Sequence, residues 1–175
     1  MKRIIFPTLT LALAILACSI SLNTPTMVVT EPPLVTESPA EVTITVYFTD
    51  TARYQVGTEP YETAVTRTIP ATDSLPEAVL TQVFLGPTEA EKGSGLEVVL
   101  SGTTGFSNFT IENGVARIYL LGTCNSNGST YSIASLIYAN LVQFPQIQWI
   151  KIYDENGQTE TPDGQSGSIP VCLEP

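Results

Sequence analysis

Three thiols are the groups in this chain best suited to covalent chemistry: Cys18, Cys124 and Cys172. Cys18 directly follows a small residue, Ala17, at the end of an apolar run, where a thiol can serve as a lipid-attachment point in an exported protein. If Cys18 carries lipid, Cys124 and Cys172 are the only possible intrachain pair, and an oxidising compartment would join them. Two free thiols are the alternative. The three are far apart and show no Cys-x-x-Cys spacing, which argues against a zinc site. His is absent altogether, which removes the commonest general base and the commonest metal ligand. Asp154-Glu155-Asn156-Gly157 has the residues of a calcium loop without its spacing, and reads as a turn at a strand end. Gly93-Ser94-Gly95 lacks the strand–turn–helix setting of a nucleophile elbow or phosphate loop, and reads as a loop. The carboxylates are scattered, so no glycosidase pair can be named. No catalytic residue, metal ligand or cofactor is assigned.

The leader fixes where such thiols would work. Lys2 and Arg3 precede an apolar run over residues 4–16, too short for a comfortable permanent span. Ile15-Leu16-Ala17-Cys18 resembles a bacterial lipobox, which implies a signal peptide over residues 1–17 and an extracytoplasmic protein anchored to the membrane by lipidated Cys18. An ordinary cleaved signal with a chance Cys, or an uncleaved anchor, are the alternatives. Residues 18–40 contain Pro25, Pro32, Pro33 and Pro39 and follow no apolar period, so they read as an extended tether. In polyproline form it would reach up to about 70 Å. Without Lys2 and Arg3, only Arg53, Arg67, Lys92, Arg117 and Lys151 oppose 17 carboxylates. That balance argues against nucleic acid as a partner and against electrostatic docking on anionic lipid. Solubility accounts for it.

The elements that must position any site follow from residue 41 onward. Val42, Ile44, Val46 and Phe48 alternate with Thr43, Thr45 and Tyr47, the pattern of a half-buried strand. A polar stretch follows over residues 50–63, and residues 64–70 read as a second strand. Ser74-Leu75-Pro76-Glu77 has capping-box spacing and opens a helix with Leu75, Ala78, Val79 and Val83 on one face. Leu85-Gly86-Pro87 ends it. Residues 89–105 read as a loop with a short strand possible over 96–100. Asn113-Gly114 between two apolar runs is a hairpin turn. Ile133, Leu136, Ile137, Leu141 and Phe144 keep helical spacing up to Pro145, and residues 147–153 form the last strand. The order β-β-α-β-β-α-β is an α+β pattern, expected as a small mixed sheet with two helices on one face. The domain spans residues 41–160, with a tail over 161–175 that a disulfide would pin.

Alternation also separates two faces. If Ile44, Val46, Ile118, Leu120, Ile150 and Ile152 face the helices, then Tyr47, Arg117, Tyr119, Trp149, Lys151 and Tyr153 share the opposite face. Left open, that face would suit a protein or glycan partner. The alternatives are that aromatics simply suit strands, or that loops and tail cover the face.

Several short motifs agree in order and spacing with one family. Val65-Thr66-Arg67-Thr68-Ile69-Pro70 leads into the first helix, and Phe84-Leu85-Gly86-Pro87-Thr88 ends it. Asn113-Gly114-Val115-Ala116, Leu136-Ile137-Tyr138 and Gln143-Phe144-Pro145 complete the set. Over residues 42–157 the chain resembles the GerMN domain of spore germination, sporulation and envelope lipoproteins. The resemblance implies an α+β module without known catalytic residues. Gly122-Thr123-Cys124-Asn125 and the Cys-bearing tail depart from the family pattern. The leading expectation is a non-catalytic, membrane-tethered module that contacts an unidentified envelope protein or the cell wall. A small-ligand or glycan receptor is the second reading. An enzyme, needing a carboxylate pair assembled by folding, is the third.

Overall fold

The computed structural model describes residues 40–175. The expected leader, Cys18 and the tether up to residue 39 lie outside the described residues. Among the described residues, no helix is long and apolar enough to cross a membrane.

The strands form two three-stranded sheets. In the first, β1 (Glu41–Asp50) pairs antiparallel with β2 (Glu62–Pro70) from Glu41↔Pro70 to Thr49↔Glu62, and β3 (Leu96–Glu97) joins the far end of β1. In the second, β4 (Gly105–Glu112) and β5 (Val115–Leu121) form a hairpin, and β6 (Trp149–Tyr153) runs parallel to β5. Asn113 and Gly114 both have positive φ, 51° and 79°, as a two-residue hairpin turn requires. Two longer helices, α2 (Leu75–Leu85) and α4 (Ile133–Leu141), contact each other and β1.

The α+β class and the order of the main elements are as expected, but the strands divide between two sheets instead of one. The reason lies in two amides. β1 needs hydrogen-bond partners on both edges. On the edge opposite β2, Asn140 of α4 accepts from the Tyr47 amide and donates to the Tyr47 carbonyl, both at 2.9 Å. Gln143 donates to the Thr45 carbonyl at 3.2 Å. Side chains of α4 and of the residues just after it thus stand where a fourth strand would have paired. Asn140 is completely buried and also donates to the Leu136 carbonyl, so its amide is well satisfied in the core.

Both sheets turn their apolar alternation into one core. Ile44, Val46, Ile118, Leu120, Ile150 and Ile152 are all buried, with Val79, Leu80 and Val83 of α2 and Leu136, Ile137 and Leu141 of α4. Each such aliphatic side chain stabilises the fold by roughly 1.5–3 kcal/mol relative to exposure. The polar stretch over residues 50–63 and the expected loop over residues 89–105 each contain a short helix. α1 (Thr51–Val56) is capped by Asp50, which accepts from the Ala52 and Arg53 amides. α3 (Glu89–Gly93) carries a full capping box between Thr88 and Glu91. Ser74, by contrast, makes no side-chain cap to α2, despite its spacing. Gly86 ends α2 at φ 79°, a conformation few other residues adopt.

Candidate functional site

The six residues expected on one open face are not brought together as a single open surface. Tyr47 lies on β1, in the other sheet. The remaining five share the outer side of β5 and β6, where Arg117 pairs with Lys151 and Tyr119 with Tyr153. Tyr119 and Tyr153 stack with ring centroids 4.5 Å apart and planes within 10°. Arg117 approaches Glu112 across the hairpin at 3.8 Å. Lys151 and Tyr153, however, are buried, Lys151 completely. Of the five, Trp149 is the exposed one, at 41%.

The tail buries Lys151. Its ammonium donates to the carbonyl of Thr161, to that of Asp163 at 3.0 Å and to the Ser166 hydroxyl at 3.4 Å. Three donors meet three oxygens, which is how a buried ammonium is tolerated without a carboxylate. Ser168 then joins the open edge of β6 in a parallel bridge, accepting from the Ile152 amide and donating to the Ile150 carbonyl. Gly167 permits this approach, because a Cβ there would lie 2.8 Å from the Tyr138 hydroxyl. Farther along, Cys172 is disulfide-bonded to Cys124, with Cα atoms 5.6 Å apart. The Ser126 amide donates to the Cys172 carbonyl, and Leu173 is buried. The two departures from the family pattern, the Cys124 loop and the tail, are therefore one covalent device.

Lys151→Met keeps the stem and removes the three donors. The expected result is a loss of about 2 kcal/mol of stability, from oxygens left without their charged partner. Amide exchange at Ile152 and Ser168 should quicken with it. Unchanged exchange at both positions would show that the tail is held without Lys151.

Two clusters were not legible in the sequence. Arg67 of β2 sits over the Phe48 ring at 4.9 Å and donates to Gln82 Oε1, to the Gly86 carbonyl and to Glu91 Oε2 at 2.9, 3.0 and 2.7 Å. It thereby joins β2, the end of α2 and α3. Burial pushes the Glu91 carboxyl up, but the Thr88 amide and the Arg67 guanidinium outweigh it and hold Glu91 below its ordinary value. Tyr54, Tyr61 and Tyr131 form the second cluster, with centroids 5.3–5.5 Å apart. The signal for the first was a Thr-x-x-Glu box at Thr88 and Glu91; for the second, lying on three separate segments, there was none.

Asp154 accepts from the Asn156 and Gln158 amides at 2.9 and 2.8 Å, so Asp154-Glu155-Asn156-Gly157 is a turn at the end of β6. Among the described residues, no three His, Cys, Asp or Glu side chains are grouped to hold a metal.

The family model named Germane, described as sporulation and spore germination, matches residues 45–161. The solved structure of the tandem GerMN domains of the sporulation protein GerM from Bacillus subtilis is similar at 18% identity and a TM-score of 0.46, over 78% of this chain and 48% of that one. The first GerMN domain of the same protein is similar at 19% identity and a TM-score of 0.45, over 76% of this chain and 96% of that one. This chain thus spans about half of the tandem structure. No curated protein matches it. The family match runs from within β1 to the first residue of the tail, through the Arg67 cluster and the hairpin, and on it the chain belongs to the Germane family of GerMN-type domains.

Proposed function

We propose that this chain is a non-catalytic lipoprotein of the bacterial envelope that presents its GerMN-type domain to a protein or cell-wall partner, in sporulation or germination where the organism makes spores. The exposed Trp149, at the hairpin end of a face whose centre the tail has closed, carries the presentation part of this reading. Its backbone amide donates to the Gly114 carbonyl, which ties the start of β6 to the hairpin turn. An exposed aromatic on a rigid strand is the usual anchor of an interface. The sequence up to Cys18 supports the lipid anchor, and the Cys124–Cys172 bond fits an oxidising compartment.

One preparation tests both parts. Mass spectrometry of the protein from envelope membranes should show a diacylglyceryl or triacylglyceryl group on an N-terminal Cys18; an unmodified N-terminus elsewhere overturns the anchor. Trp149→Ala should leave the unfolding midpoint nearly unchanged, yet weaken capture of the crosslinked envelope partner by about 2 kcal/mol or more. Undiminished capture would move the contact surface away from Trp149.

A further inference from the structure

Between the segment before β2 and the start of α4 lies an open cleft of about 440 Å³, lined by Glu59, Pro60, Tyr61, Glu62 and Tyr131 among others. Its aromatic wall continues into Tyr54, which is 40% exposed. Tyr131 is fixed in place: its hydroxyl donates to Glu62 Oε1 at 2.8 Å and lies 3.1 Å from the Thr49 hydroxyl. Burial, with the Glu62 carboxylate adding to it, pushes the Tyr131 phenol well above its ordinary range, so it stays a neutral donor. That single bond leaves the second oxygen of Glu62 available, and Glu59 lines the same cleft, with neither Lys nor Arg on the lining.

Carboxylates and tyrosine faces without a cation of their own favour one ligand charge. Aromatic faces attract ammonium groups through the ring quadrupole. The carboxylates add a direct Coulomb attraction, and they repel anions. We propose that this cleft binds a lysine side chain of a basic peptide segment, its aliphatic stem against Pro60 and Tyr61 and its ammonium between Glu59 and Glu62. A diamino acid that carries free carboxylates close to its amine would meet repulsion here. Trp149 is not among the residues that line the cleft, and the proposal stands whether or not Cys18 is lipidated.

The test is a titration of the full chain in neutral detergent, followed by ¹H–¹⁵N spectra, with Nα-acetyl-lysine methylamide as probe. Shifts should concentrate at residues 59–62 and 130–135. The Nε-acetylated probe, equal in stem but uncharged, should bind about fivefold more weakly, as should the amine to Glu59→Gln. Glu59 is exposed and holds no structural bond among those of the cleft, so this variant keeps the fold; Glu62→Gln keeps its acceptor for Tyr131 and should weaken binding similarly. Equal binding of the acetylated probe would reduce the site to apolar packing and overturn the proposal. So would tighter binding of chitobiose, which would make it a polyol site, full affinity in Glu59→Gln, or shifts that fall elsewhere or nowhere.

Discussion

Replacing Cys124 and Cys172 together by Ser should lower the unfolding free energy by about 4 kcal/mol, the value a chain-entropy model gives for a crosslink spanning about fifty residues. The two cysteines are 48 residues apart in sequence, with α4 and β6 between them. The bond therefore restricts the unfolded chain across a large part of the domain. In the folded state the tail keeps other attachments. Ser168 remains bridged to β6, Lys151 remains bonded to Thr161 and Asp163, and Leu173 remains buried. The loss should accordingly appear as a shift of one cooperative denaturation curve, with fluorescence and circular dichroism moving together. A change below about 1 kcal/mol, with the tail alone exchanging faster, would mean that the tail opens locally and that the crosslink does not act on global unfolding.

What the sequence revealed and what it hid divide along physical lines. Period-two alternation placed Ile44, Val46, Ile118, Leu120, Ile150 and Ile152 in the core, because a strand with one buried face must carry that period. It also put Lys151 on the opposite face, and the backbone agrees. Its burial comes from carbonyls of the tail, and backbone carbonyls leave no pattern in a sequence. Asn140 lay within the apolar spacing of α4, between Leu136 and Leu141, and a buried amide at such a position marks an open backbone edge nearby. Reading it that way would have warned that β1 meets a helix where a strand was expected. α1 and α3 are shorter than two helical turns, so no apolar period can identify them. Only their caps can, and Thr88-Glu89-Ala90-Glu91 held that spacing as clearly as Ser74-Leu75-Pro76-Glu77 did. At Ser74 the helix starts without the side-chain bond; at Thr88 both bonds form. Spacing permits a capping box, and local backbone geometry decides whether it closes.

Arg67→Met should cost about 3 kcal/mol, toward the lower end for removing one partner of a buried ion pair, because Glu91 keeps some access to water. The guanidinium satisfies Gln82 Oε1, the Gly86 carbonyl and Glu91 at once. It also sits at the C-terminal end of α2, where a cation opposes the helix dipole. Methionine fills the space above Phe48 but takes the guanidinium away from Gln82 Oε1 and the Gly86 carbonyl and leaves Glu91 Oε2 with the Thr88 amide alone. Arg67→Lys keeps the charge and loses the fork, since one ammonium cannot reach the Gln82, Gly86 and Glu91 oxygens in the same geometry. It should fall between wild type and Arg67→Met. The dependence on pH separates the ion pair from simple packing. With its folded-state pKa held below the ordinary value, Glu91 contributes stability that is present above the unfolded carboxylate range, about 4.3, and is lost as pH falls through the folded value. The gap between wild type and Arg67→Met, measured by denaturation, should thus be widest near neutral pH and should narrow in acid. A gap that stays constant through that range would assign the contribution of Arg67 to its bonds with the neutral Gln82 and Gly86 oxygens and leave the ion pair without weight. A narrowing gap would show that charge closes this joint, in which Arg67 of β2 holds the Gly86 end of α2 through a carbonyl and Glu91 of α3 through an ion pair.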